Sequence, residues 1–404
     1  MVTEQIITKS DQKQTYVERI PKDWKIVQVG DHFNFKNGLN KAKKFFGQGT
    51  PIINYMNVYP YPEIYEKYIQ GKVTLTNGEL RTFDIRKGDV LFTRTSETLN
   101  EIGLSSVVLD DVKKTVFSGF LLRARPTTDL FGLEFKKYCF RSKNVRRQII
   151  STSSKTTRAL TNGKLLSKVS VLIPINQYEQ LAISESISDI EKCIKQLDYL
   201  IEKKKNIKQG VMQELLTGGE RLFGFIDEWE TKELGKIVDI KKGQQLNKSN
   251  LTLKGSYPVW NGGIEPSGFT HMCNELENTI TISEGGNSCG FVNFSFEKFW
   301  CGGHCYALNK PKLELSKTFL YYVLKMHEKS IMKLRVGSGL PNIQKKRITE
   351  FPIGLPPFQE QIAIAEILSD IDSEIKEFET KKDKYMMIKN GMIQKLLTGE
   401  IRLT

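Results

Sequence analysis

The chain of 404 residues contains no uninterrupted run of about 18 apolar residues, the length a helix needs to cross a bilayer. Its opening segment, up to Trp24, also lacks the apolar stretch of a secretion signal. Both absences point to a cytoplasmic protein that stays off the membrane. Cysteine is scarce, with six residues scattered along the whole length, which excludes a dense disulfide framework and fits a reducing compartment. Glycine (31) and proline (13) are too few for a collagenous or disordered chain, and 39% hydrophobic residues are enough for ordinary cores. At ~100–200 residues per domain the length accommodates roughly two to four of them.

Catalytic signatures are missing as well. No Gly-x-x-x-x-Gly-Lys-Ser/Thr phosphate loop occurs, which argues against a nucleotide-driven motor, and no Asn-Pro-Pro-Tyr adenine-methylation motif is present. Glu230-Thr-Lys232 has the outline of a nuclease fragment but no upstream Pro-Asp partner, so it reads as surface charge. Cys301-Gly-Gly-His304-Cys305, with Cys273, Cys289 and His271 earlier, lacks the paired short knuckles of a zinc site. Nothing orients Cys301 and His304 as a nucleophile and base either. Free thiols in Gly-rich turns are the expectation, with no catalytic residue and no metal ligand assigned.

What the sequence does contain is a repeat. Glu179 to Leu222 realigns without a gap on Glu360 to Leu403, and almost half of the paired positions are identical. Apolar residues step by three and four through Ile183, Ile187, Ile190, Ile194 and Leu197, matched by Ile364, Leu368, Ile371, Ile375 and Phe378. That spacing predicts a helix–helix seam of coiled-coil type. Pro174 and Pro356-Pro357 mark the helix starts, and Leu-Leu-Thr-Gly supplies a stop at Gly218 and Gly399. A helix from Glu179 to Leu216 would run ~57 Å at about 1.5 Å per residue. Gly210 and Gly391 sit at equivalent places inside the two helices. A close helix approach or a kink would explain them, as would inheritance from a duplicated ancestor.

The segments before each helix read as more diverged copies. Trp24 and Trp229 open them; Val29-Gly30 answers Leu234-Gly235, and the stretch ending at Gly38 answers the one ending at Gly243. Further on, Arg158 to Asn162 lies opposite Ser338 to Asn342. Asp89–Thr93, Val116–Arg123 and Thr279–Ser283 read as strands. The expected fold is therefore mixed α/β (α+β): two pseudo-symmetric domains separated by two long antiparallel coiled-coil helices. The boundaries are an N-terminal extension 1–19, a first domain 20–175, a central spacer helix 176–223, a second domain 224–355 and a C-terminal spacer helix 356–404.

Charge selects a partner. The net charge is +14, yet each repeat copy is slightly acidic, so the surplus belongs to the two diverged domains. A charge serving solubility has no reason to avoid long exposed helices, whereas one that meets phosphates belongs on the faces toward a duplex. Phosphate-contact candidates in the first domain are Lys36, Lys41, Lys43 and Lys44, then Lys155 and Arg158, with a further basic group at Arg141, Lys143, Arg146 and Arg147. In the second they are Lys241, Lys242, Lys345, Lys346 and Arg347. Base reading needs forked or amide side chains beside turns. Asn37, Asn40, Arg94 with Ser96, and Asn162 are candidates in the first domain, and Gln244, Gln245, Asn261, Asn287 and Asn342 in the second. Any one of these also suits a plain turn or a solvated face.

The order domain, helix, domain, helix, and above all the tails Pro356-Pro357-Phe-Gln-Glu-Gln-Ile-Ala-Ile-Ala-Glu-Ile-Leu-Ser-Asp-Ile-Asp372 and Gln394-Lys-Leu-Leu-Thr-Gly399, resemble the specificity subunit of Type I restriction-modification systems. The resemblance covers nearly the whole chain. It implies two target-recognition domains that each read half of a bipartite, asymmetric double-stranded DNA target. It also implies two methyltransferase subunits using S-adenosylmethionine, and two restriction/translocase subunits using ATP and magnesium, docked on a chain that holds no cofactor itself. The first copy departs from the pattern at Ile173-Pro174-Ile175-Asn176-Gln177-Tyr178, which leaves its helix start open. A specificity subunit of a Type IIB-like methylase-nuclease is the near alternative. A coiled-coil protein scaffold is the alternative from another class, and it leaves the basic surplus unexplained.

Overall fold

The computed structural model describes residues 20–155, 158–337, 339 and 341–403, without the side chains of Lys155 and Lys248. The N-terminal extension 1–19, the Lys155 side chain, Ser338 and Leu340 thus lie outside the described residues. The fold is mixed α/β. The chain divides into two compact units, one formed by residues up to Gln196 together with Lys382 onward, the other by Leu197–Lys381.

In the first unit, β1 (Trp24–Gln28), β2 (Phe33–Asn37), β3 (Glu63–Ile64), β4 (Val90–Thr93), β5 (Ser105–Val108), β6 (Leu121–Pro126) and β7 (Ser170–Pro174) form the main sheets. The order of the five-stranded sheet is β2-β6-β4-β5-β3, antiparallel except for β3 beside β5. Every residue of β4 is buried, as a central strand covered on both faces requires. The expected strand Val116–Arg123 is in fact two, Val116–Phe117 and β6, split by a turn at Ser118-Gly119-Phe120. The turn has a physical cause. Gly119 N–H donates to Leu39 O at 2.7 Å, and a Cβ on Gly119 would lie 1.8 Å from Asn40 Oδ1.

The second unit repeats the plan with β8 (Glu230–Glu233), β9 (Val238–Lys242), β10 (Thr279–Ser283), β11 (Val292–Ser295), β12 (Cys305–Pro311) and β13 (Pro352–Leu355). Its sheet runs β9-β12-β10-β11, the same order as the first four strands above, and β10 is buried throughout. In both units the first and last strands zip into a ribbon, with Trp24 opposite Pro174 in one and Glu230 opposite Leu355 in the other.

Two glycine pairs found in the sequence mark close backbone approaches. A Cβ on Gly38 would sit 2.0 Å from Ser118 O, and one on Gly243 2.2 Å from Gly302 O. Gly30 likewise faces Ser167, and Gly235 faces Thr349. These contacts correct one alignment. Ser167 answers Thr349, and Thr161 N–H bonds Arg94 O as Ile343 N–H bonds Glu284 O. Asn162 therefore answers Gln344, not Asn342.

The long helices span Gln177–Leu215 and Phe358–Leu396, 39 residues each. Gly218 and Gly399 both take φ +72°, the left-handed stop that glycine tolerates best. The irregular first start is resolved: Gln180 Nε2 donates to Pro174 O and Gln361 Nε2 to Pro356 O, each at 2.9 Å, with one extra residue between the partners in the first copy. Asn176 absorbs it, its Oδ1 accepting Tyr178 N–H at 2.9 Å. Of the explanations open for Gly210 and Gly391, a close helix approach does not apply, since a Cβ on either would meet nothing within 4 Å among the described residues.

Ile183 and Ile187 are sealed in the first unit's core beside Leu396 and Leu397; Ile364 and Leu368 are sealed in the second's beside Leu216. Leu197 and Ile375 are also buried, while Ile190, Ile194, Ile371 and Phe378 are half-buried.

Candidate nucleic-acid interface

Each unit is locked by an arginine from one repeat copy on a carboxylate from the other. In the first, Arg402 Nε and Nη2 bond Glu179 at 2.6 and 2.8 Å, and the same guanidinium grips Asp23 at 2.9 and 2.5 Å. In the second, Arg221 Nε and Nη2 each bond Glu360 at 2.8 Å. Both glutamates are essentially inaccessible, at 1% and 0% exposure. Glu179 first, then Asp23, holds the Arg402 pKa above the usual range, and Glu360 does the same for Arg221. Lys389 meets Glu191 at 3.4 Å as Lys208 meets Asp372 at 2.6 Å, and a buried tyrosine, Tyr138 or Tyr322, donates to each carboxylate. Burial raises both phenols above their usual range. Within each unit, then, the two helix segments run antiparallel.

On this frame the candidates for nucleic-acid contact divide into engaged and available side chains. Arg141 and Arg146 serve the fold. Arg141, just before the helix Lys143–Thr152, donates to Ser105 O (2.6 Å) and Tyr61 O (2.7 Å), and Arg146, on that helix, donates to Ile102 O (2.5 Å) and Asn100 O (2.9 Å). Lys41 is paired with Glu79 at 2.6 Å, and Lys242 with Glu284 at 2.7 Å. Ser96 is buried and donates to Glu101 Oε2 at 2.6 Å; Asn162 caps the helix Gly163–Ser167. Asn261 Oδ1 accepts His304 N–H at 3.2 Å.

Lys43 and Lys44 are exposed on a short turn, and Lys36 lies 5.7 Å from the Phe83 ring. Asn37, Asn40, Lys143, Arg147, Arg158, Asn287, Asn342, Lys345 and Arg347 are exposed, as are Gln244 and Gln245; Arg94 is half-buried. Lys241 and Lys346 are exposed with carboxylates 3.9 and 3.7 Å away.

The structure brings Ser96 and Arg158 together. With Tyr55, Thr95, Glu97, Glu101 and Phe120 they line a cleft of about 380 Å³ in the first unit. Tyr55 and Phe120 were not singled out from the sequence. In the second unit Gln245, Asn261 and His304 gather at the turn Gly302-Gly303, so the Cys-Gly-Gly-His-Cys segment is a strand-to-strand turn. Among the described residues no group of three or more His, Cys, Asp or Glu is placed to hold a metal ion. No described helix is long and apolar enough to cross a membrane.

The fold defines a class: mixed α/β proteins in which one module design occurs twice, each copy closed by segments of two long helices. Residues 226–384 match the family model described as Type I restriction modification DNA specificity domain. A putative type I restriction enzyme MjaX specificity subunit from Methanocaldococcus jannaschii is 25% identical, over 97% of this chain and 96% of that protein. A putative type I specificity subunit from Mycoplasma pneumoniae is 35% identical over 172 residues, 42% of this chain and less than half (46%) of that relative. The crystal structure of a Type I restriction-modification S subunit from M. genitalium superposes with a TM-score of 0.65 at 18% identity, covering 95% of this chain and 98% of that one. Over nearly its whole length, then, the chain is similar to specificity subunits of Type I restriction-modification systems, and residues 226–384 carry that family's DNA specificity domain.

Proposed function

We propose that the chain is the DNA-reading subunit of a Type I complex, recognising a bipartite, asymmetric duplex target with one module per half. The observation that carries this reading is a shared frame with divergent tips: the same strand order and the same arginine latch hold turns of different chemistry in the two units. The basic surplus outside the repeat helices supports contact with phosphates. The helices would set the spacing between half-targets, and the methyltransferase and restriction/translocase subunits would dock on this chain, two of each. S-adenosylmethionine, ATP and magnesium would belong to those partners; this chain contributes recognition and orientation.

Selection from a pool of randomised duplexes by the full chain with its methyltransferase tests the proposal. The expected result is a split motif whose affinity falls steeply with salt, on the order of 10³-fold or more between 50 and 200 mM for about six phosphate contacts. Equal retention of scrambled duplexes would refute it.

A further inference from the structure

The two units offer one backbone position twice, with opposite charge. Arg94 N–H donates to Phe120 O at 2.9 Å and Arg94 O accepts Thr161 N–H at 3.1 Å; Glu284 makes the matching bonds with His304 O and Ile343 N–H, both at 2.8 Å. Glu284 is consumed internally. It is 5% exposed, and its Oε1 accepts from Lys242 at 2.7 Å and from the Tyr306 hydroxyl at 2.9 Å.

Arg94 is not consumed in this way. Among the described residues its guanidinium has no acceptor, and its Nε is sealed from solvent without a partner. Thr161 Oγ1 and Ser118 Oγ, on the two segments bonded around Arg94, are buried and unpartnered too. No internal carboxylate among the described residues therefore occupies the Arg94 guanidinium as Lys242 and Tyr306 occupy Glu284. The adjoining residues Thr95, Ser96, Phe120 and Arg158 line the cleft, and Phe120 is more than half exposed. The loop after Ser96 is held rigid by Arg146 on Asn100 O and Ile102 O. A guanidinium fork matches two adjacent acceptors, which in the duplex major groove only guanine presents.

We propose that Arg94 is a specificity-determining residue that reads a guanine in the half-target of the first module, whereas Glu284 closes the equivalent position of the second. The proposal rests on the DNA-reading function above.

The test is the same duplex selection, run with the wild-type chain, Arg94→Lys and Arg94→Ala. Both variants should lose preference for one guanine in one half-motif, by roughly 10- to 100-fold, and keep the other half-motif intact. Arg94→Lys retains the charge, so it keeps the test valid if the alanine variant folds poorly. An unchanged motif in Arg94→Lys, or degeneracy spread over both halves, overturns the assignment alone. Absence of any motif with the wild-type chain takes down the DNA-reading function, and this assignment with it.

Discussion

The two units share a latch but fasten it differently. In the first, Arg402 holds two carboxylates, Glu179 and Asp23, and Trp24 Nε1 donates to Glu179 at 3.2 Å. In the second, Arg221 holds one carboxylate and the carbonyl of Asp227, and Trp229 Nε1 is buried with no partner among the described residues. The guanidinium rests near the matching indole in both, at 5.7 and 5.9 Å. Positions that hold the frame have stayed chemically alike since duplication, while the turns they support have not: Phe120 stands where the other unit has His304.

The largest effect should come from the latch. Arg402→Ala and Arg221→Ala each remove the cation that pairs with an inaccessible glutamate, so each should destabilise its unit. Hydrogen exchange resolved by segment should place the loss from Arg402→Ala in the first unit and that from Arg221→Ala in the second. No loss, or one in the opposite unit, would break the comparison. Next in size, Gly38→Ala and Gly243→Ala should each cost about 1–3 kcal/mol through collision with Ser118 O and Gly302 O. Thermal melting of both variants should show comparable losses, and one neutral variant would mean that the frames are not equivalent there.

The smallest effect separates the units by pH. Burial lowers the pKa of His327 in the second unit from its ordinary 6.5, so the folded state favours the neutral ring. Its contribution is complete above about pH 6.5 and is lost as pH falls from there through the depressed folded value. Second-unit stability should therefore decline on mild acidification, and His327→Gln should flatten that slope. A slope that survives the substitution would assign the effect elsewhere.

The helices and their stops could be read from the sequence because a gapless repeat states each of them twice. The latch could not. Glu179 and Arg402 lie in different copies, and their pairing follows from the chain path, which neither copy encodes alone. The turn at Ser118-Gly119 was hidden because apolar residues flank it on both sides and imitate one long strand. The cleft was hidden because Tyr55, Ser96, Phe120 and Arg158 converge from four separate segments. Asn162 was legible as a turn-side amide, but its engagement with Leu165 N–H depends on where the helix Gly163–Ser167 begins.

The discontinuity of the first unit bears on synthesis. A ribosome releases Leu197–Lys381 as one unbroken stretch, so the second unit has all its parts before translation ends. The first has to wait for the segment from Lys382 onward, which brings Arg402 to Glu179. A chain interrupted between Lys381 and Arg402 would thus leave the module made first without its closure, and spare the one made second.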